Sequence, residues 1–294
     1  MNHFYDIFEN FKNKGCHIPL NDTEAFTIYT NHNKVYNKLE IFKFQNIECN
    51  PFPCKPSKFP IVSKPIINLF GMGLNAKKIN NVKQFNRELP SNNFWCSFLE
   101  GEHLSWDFVV RNGKIVYHVC FKGGKKEFAT FKYWTLMNID ILENIRKIID
   151  FYLTDFTGTV NMETIGNFVI ETHLRIGDAK FCEKEIIDLF LSNYFVDDEK
   201  FTEKLDIAKS IVNRKVNLIP VWEKLNDEIK IKRKFNRVKK NIEPILQEDD
   251  MVIDFYYPCE VRPEKYHRWY LLFIRDLKYG LKLAKTLEKK IKKL

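Results

Sequence analysis

Two carboxylates in an otherwise apolar hairpin are the first sign of chemistry in this chain. In GTVNMETIGNFVIETHLR (158–175), Glu163 and Glu171 stand among Val, Ile and Phe on either side of a Gly166-Asn167 turn. Strand residues alternate faces, so Glu171 and His173 share one. Tight pairing across the turn sets Ile165 opposite Phe168 and leaves Glu163 and Glu171 diagonal; a bulge or slightly wider turn brings them to one face. Unpaired acids are costly to bury, so a divalent metal is a natural partner. The alternative is a pair of solvent-facing acids on an edge hairpin. Hard oxygen ligands suit Mg2+, whereas an imidazole at His173 is the better match for Mn2+.

The rest of the chain must position that hairpin. Between Asn33 and Phe44, Val35, Leu39 and Phe42 recur at helical spacing, and the segment ends at a turn-prone stretch with Pro51, Pro53 and Pro56. KFPIVSKP (58–65) then reads as a buried strand ending near Lys64, an awkward surface residue between Val62 and Ile66. INLFGMGLNAKKI (67–79) supplies a glycine-bearing loop, and residues 79–89 a helix. Phe94 to Phe108 reads as strand, tight turn at Gly101, strand. DFVVRNGKIVYHVCF (107–121) gives two apolar strands over Asn112-Gly113, a strong hairpin signal. From Leu136 to Leu153, Ile141, Leu142, Ile145, Ile148, Ile149 and Tyr152 follow a helical stripe. After Asp178 the chain becomes more helical and more charged. Strands are expected at Leu218–Trp222 and Met251–Tyr257, and a Lys-rich exposed helix or insertion at 228–240. A final helix is expected from about His267 to the end, its stripe running through Tyr270, Phe273, Ile274, Leu277 and Leu287.

These parts, in this order, resemble the ATP-grasp superfamily over about half the chain, from roughly Asn31 to Arg175. FPIVSKPIINLFGMG is similar to that family's strand and glycine loop, FLEGEHLSWDFVVRNGKIV to its hairpin, and GTVNMETIGNFVIETHLR to its metal-bearing strands, closest in style to carbamoyl-phosphate synthetase. The resemblance implies an α+β fold with two lobes and ATP between them. It divides the chain into a short N-terminal segment (1–30), a small lobe (31–92), a large lobe with the metal site (93–180) and a helix-rich C-terminal region packing on the large lobe (181–294). The N-terminal substrate domain common in such enzymes is then cut to about thirty residues.

By the same resemblance, Lys64 and Lys34 grip the phosphates, with Lys38 a neighbouring candidate to Lys34. Gly71, Met72 and Gly73 approach the triphosphate through their backbone. Trp95, Cys96, Ser97 and Phe98 form the hinge that reads adenine, without the usual preceding acid. His103 stands where the family has a ribose-contacting Glu, with Glu102 one step off. Glu163 and Glu171 hold Mg2+, and His173 takes the place of the usual Asn. Arg175 neutralises a substrate carboxylate or acyl phosphate, the alternative being a structural salt bridge, for example to Asp178. The implied activity is ligation of a carboxylate to an amine or thiol through an acyl phosphate. Its acceptor could be a peptide or protein. The altered hinge and His173 motivate a second reading, an inactive nucleotide- or partner-binding protein, and a kinase is a nearby variant.

Composition narrows the remaining classes. The net charge of +9 suits polyanionic partners, ATP among them, but the excess is spread along the chain, and nucleic-acid binding is not expected. Seven scattered cysteines favour a reducing cytosolic compartment over a disulfide framework. The opening residues interrupt their apolar positions with charge, so no leader is expected there, and no apolar run reaches the roughly 20 residues a membrane span needs.

Overall fold

The computed structural model describes the chain outside residues 1–2, 14–16, 71–74, 88–91, 128–129, 195–196, 212–215, 226–227, 243–251 and 256–266. Twelve strands among the described residues form two antiparallel sheets. The small sheet contains β1 (Cys49–Pro51), β2 (Ile61–Pro65), β3 (Lys77–Ile79) and β4 (Asn93–Ser97), in the order β1-β4-β2-β3. The large sheet contains β5 (His103–Arg111), β6 (Lys114–Glu127), β7 (Thr130–Met137), β8 (Gly158–Ile165), β9 (Phe168–His173), β10 (Asn217–Glu223), β11 (Val252–Phe255) and β12 (His267–Ile274). Its order is β11-β12-β10-β7-β6-β5-β8-β9.

Turn chemistry sets the two central hairpins. Asn112 and Gly113 both adopt left-handed φ, +48° and +72°, the conformation that joins β5 to β6 with a matching twist. A Cβ on Gly113 would lie 2.0 Å from the Thr154 carbonyl oxygen, so glycine is required there. Gly166, at φ +56°, does the same between β8 and β9. Alternation then sorts the side chains. Trp106, Phe108 and Val110 of β5 pack with Val160 and Met162 of β8 beneath the helix Glu143–Tyr152, through Ile145, Ile148 and Ile149. Val109 of β5 and Tyr117, Val119 and Phe121 of β6 meet the helices His3–Lys12 and Lys184–Ser192 through Phe8, Phe11 and Phe190.

Several expectations need correction. The strands on either side of Gly101 do not form a hairpin: β4 belongs to the small sheet and β5 to the large one, so the loop 98–102 connects the two. The stripe expected from Leu136 begins inside β7, and the helix starts only at Glu143. Asn33–Phe44 is a 3-10 turn, Asn33–Tyr36, followed after Asn37 by the helix Lys38–Phe44; the Asn37 side chain caps that helix by accepting from the Glu40 N–H.

The largest correction is at the C-terminus. His267–Ile274 is a strand, and the helix starts at Leu277 behind the N-cap Asp276. The apolar run RWYLLFI fits a helical period in sequence, but it is a strand apolar on both faces. Leu271 and Phe273 belong to the core shared with the helices His3–Lys12, Lys184–Ser192 and Asp198–Ile211, while Tyr270, Leu272 and Ile274 pack toward the helices Glu228–Ile242 and Leu277–Lys293. A strand buried on both sides shows no alternation. Consequently the region after residue 181 does more than pack on the large lobe: β10, β11 and β12 continue its sheet. No helix among the described residues is long and apolar enough to cross a membrane.

Candidate functional site

The register of β8 and β9 brings the two acids together. Ile165 pairs with Phe168 and Thr164 with Val169, but Glu163 pairs with Glu171. Ile170 is the extra residue of a β-bulge, and the shift moves both carboxylates to one face. Across β8, Glu163 faces Ser105 of β5, and Asn161 faces both Asp107 and His173. One face of three adjacent strands therefore carries His103, Ser105, Asp107, Asn161, Glu163, Glu171 and His173. The opposite face of β5 and β8 is the apolar core.

Two lysines reach this face from the small lobe. Lys64 of β2 donates to the Ile170 carbonyl at 3.3 Å, so the backbone oxygen of the bulged residue accepts an ammonium from the other sheet. The same ammonium lies 4.3 Å from the Phe42 ring centroid. Lys38, at the start of its helix, is buried and places Nζ 2.5 Å from Glu171 Oε1. Lys34 instead sits on the 3-10 turn, exposed, so the ammonium beside the acids is that of the neighbouring Lys38. Gln45 closes the outer edge of β9: its side chain donates to the Val169 carbonyl and accepts the Val169 N–H, both at 2.8 Å.

A second cluster adjoins the first through His173. Its Nδ1 is 2.9 Å from Asp22 Oδ1, and its Nε2 is 3.9 Å from Glu171 Oε1. Asp22, 4% exposed, also accepts from the Arg175 guanidinium at 3.1 Å and from the Tyr36 hydroxyl at 3.2 Å. Arg175 donates in addition to the Ile176 carbonyl at 3.3 Å. Arg175 thus has a carboxylate partner within the chain, and that partner is Asp22. His103 is drawn into the acid cluster, with Nε2 2.8 Å from Glu163 Oε2, and its ring packs edge-on against Phe131. Glu102 is exposed and pairs with Lys122.

The electrostatics follow from this packing. Burial alone would raise the Asp22 carboxyl, but His173 and Arg175 outweigh it and hold the group far below the usual carboxylate range. Glu163 behaves alike: burial raises it, and the hydrogen bond with His103, together with the nearness of His103, His173 and Lys38, brings it down to about 2. Burial depresses the Lys64 ammonium, and Lys38 adds repulsion, against the attraction of Glu171 and Glu163. Arg175 is held more firmly charged than usual; burial opposes this and Asp22 overcomes it.

One ligand atom each from Glu163, Glu171 and His173 lie within 4.8 Å of one another. Two hard oxygen donors and one imidazole fit a divalent ion. Trp95, Cys96 and Ser97 lie in β4 between β1 and β2, so their backbone is committed to the two ladders; the Phe98 N–H goes to the Pro60 carbonyl at 3.3 Å. Gly71, Met72 and Gly73 lie outside the described residues. Asp22 and Tyr36 were not foreseen. Asp22 sits 151 residues from His173 in sequence, and nothing local in NDTEAF marks it as anything but the first turn of a capped helix.

The fold is shared with solved proteins. The chain superposes on an L-amino acid ligase from Bacillus licheniformis with a TM-score of 0.58 at 12% identity, covering 91% of this chain and 75% of that one. A carboxyaminoimidazole ribonucleotide synthase from Aspergillus clavatus, solved with ATP, gives 0.60 at 11% identity over 89% and 74%. N5-carboxyaminoimidazole ribonucleotide synthetase from Thermotoga maritima gives 0.53 at 15% over 97% and 78%. No family model matches the chain. No curated protein matches it either. The chain has the ATP-grasp fold: two α+β lobes, a small antiparallel sheet facing a large one.

Proposed function

We propose that the chain is an ATP-dependent ligase that joins a carboxylate to an amine or thiol. The observation that carries this reading is the meeting of two lysines from the small lobe with two bulge-aligned acids of the large lobe. Such a pairing suits a metal-bound triphosphate, whose charge must be met from both sides. Neighbours of the same fold include an amino acid ligase and a synthase solved with ATP, which supports the reading at the level of fold.

In the proposed reaction the substrate carboxylate attacks the γ-phosphorus, forming an acyl phosphate and releasing ADP. The amine or thiol then attacks the acyl carbon, the C–O bond to phosphate breaks, and inorganic phosphate leaves with the bridging oxygen. Lys64 and Lys38 neutralise charge on the phosphate oxygens. Glu163, Glu171 and His173 would hold a divalent ion, which when bound supplies charge neutralisation at the phosphates. Adenine is read in the connection 98–102, just past the committed backbone of β4. Arg175, already paired with Asp22, meets the carboxylate substrate only as that pair opens or shares its guanidinium.

A second reading has its own observation. Glu171 is paired with Lys38 and Glu163 with His103, so the acids are compensated within the chain, as suits a protein that binds nucleotide without turning it over. The test is ADP and phosphate release from ATP with Mg2+ or Mn2+ across panels of carboxylates and amines. Release that requires both substrates establishes the ligase. Tight ATP binding with no release on any pair establishes the second reading, and release with the carboxylate alone marks a kinase.

A further inference from the structure

We infer that Asp22 is a positioning residue for the metal site, fixing His173 in the tautomer that turns a bare Nε2 toward Glu171 and giving the site a preference for Mn2+ over Mg2+. This rests on the metal site proposed above and adds a residue from the N-terminal segment to it.

Hydrogen-bond direction decides the tautomer. The Asp22 carboxylate collects three donors: the Arg175 guanidinium at Oδ2, and the Tyr36 hydroxyl and His173 Nδ1 at Oδ1. Tyr36 cannot be the acceptor of that pair with a spare role, because its oxygen already accepts the Leu174 N–H at 2.9 Å and its one proton goes to Asp22. A carboxylate paired with a guanidinium only accepts, so Nδ1 of His173 carries the proton. On the other side of the ring, Nε2 faces Glu171 Oε1 at 3.9 Å, beyond hydrogen-bond reach. With Nδ1–H committed to Asp22, Nε2 is the ring nitrogen left to offer its lone pair to an ion in the space bounded by Glu163 and Glu171. The edge of Tyr36, 6.2 Å centroid to centroid, packs on the imidazole, and its 3% exposure leaves it little freedom to turn.

A carboxylate behind an imidazole is the arrangement that orients a metal-ligating histidine and raises its basicity. Nitrogen ligation favours Mn2+ and its neighbours in the transition series over Mg2+, which prefers oxygen throughout. The chain thus couples an N-terminal helix, by one side chain, to the ion preference of a site on the β8–β9 hairpin.

The test uses the full chain and the metal salts alone, MnCl2 and MgCl2, in calorimetric titrations, with 15N-detected NMR of the histidine rings beside them. Wild type is expected to bind Mn2+ about tenfold or more tighter than Mg2+, and His173 to show the Nδ1–H tautomer in the metal-free protein. Asp22→Asn should weaken Mn2+ by about 10–100-fold with little change for Mg2+, and His173→Asn should bring the two ions level. The Nε2–H tautomer in wild type overturns the proposal whatever the variants do, and so does equal affinity of wild type for both ions. An unchanged ion ratio in folded Asp22→Asn overturns it too; if that variant does not fold, the wild-type tautomer and ion ratio decide. ATP binding in the presence of Mg2+ reports separately on the nucleotide reading, so either can fail while the other stands.

Discussion

The β8–β9 hairpin and the C-terminal half of the same sheet differ in where they keep their charge. Around the hairpin, Asp22, Lys38, His103 and His173 are buried and held in ion pairs or hydrogen bonds with Glu163, Glu171 and Arg175. At the C-terminal end, Trp269, Tyr270, Leu272, Leu287 and Ile291 fill a mainly apolar core, while the lysines of Leu277–Lys293 face outward. Burying ion pairs seldom stabilises a fold more than apolar packing would. A chain that packs one end of a sheet with aromatics and the other with paired charges keeps the second for a task. The contrast separates residues that hold the fold from those proposed above to hold a ligand.

The sharpest break in that contrast comes from the phosphate grip. Lys64→Ala is expected to lower ATP-dependent turnover by about 100- to 1000-fold, the effect of losing one preorganised charge donor, with a folded, cooperative thermal transition retained. Removing one partner of the buried network should do the reverse. Asp22→Ala leaves Arg175 and His173 facing a void and should cost about 3–5 kcal/mol in urea unfolding. In the C-terminal core, Leu287→Ala should cost about 2–5 kcal/mol by cavity formation while ATP affinity in the folded protein is unchanged; a loss of affinity there would erase the distinction between the two ends.

Acid separates the two ends as well. The carboxyls of Asp22 and Glu163 are held below their ordinary values of 3.8 and 4.5, so the unfolded chain binds more protons than the folded one in the acid range. Their contribution is complete above about pH 4.5 and fades as pH falls toward about 2 and below, which a series of urea midpoints measures. Asp22→Asn should flatten that fall, whereas Leu287→Ala should shift the curve without changing its shape. The smallest effect is expected at the solvated lysines: Lys289→Gln should stay within about 0.5 kcal/mol of wild type.

How much of this was legible in the sequence depended on distance along the chain. The Asn112-Gly113 and Gly166-Asn167 turns announce their hairpins because left-handed φ at Asn112, Gly113 and Gly166 favours those residues, and the diagonal of Glu163 and Glu171 points to the bulge that aligns them. β12 is not legible as a strand because a strand buried on both faces has no period to detect. Lys38 could not be told from Lys34 by spacing, since a 3-10 turn interrupts the expected helix and rotates the two lysines onto different faces. Asp22 leaves no local signal at all: two of its partners, His173 and Arg175, are brought to it by the fold from more than 150 residues along the chain.

The account stands most directly on the ATP affinity of wild type and Glu171→Gln in the presence of Mn2+, measured by thermal shift and calorimetry on the same preparations. Stabilisation of wild type that needs nucleotide and metal together, and that Glu171→Gln loses while keeping its fold, is the predicted result. Equal stabilisation of both proteins by ATP and Mn2+ would place the triphosphate somewhere other than between Lys64 and the β8–β9 acids.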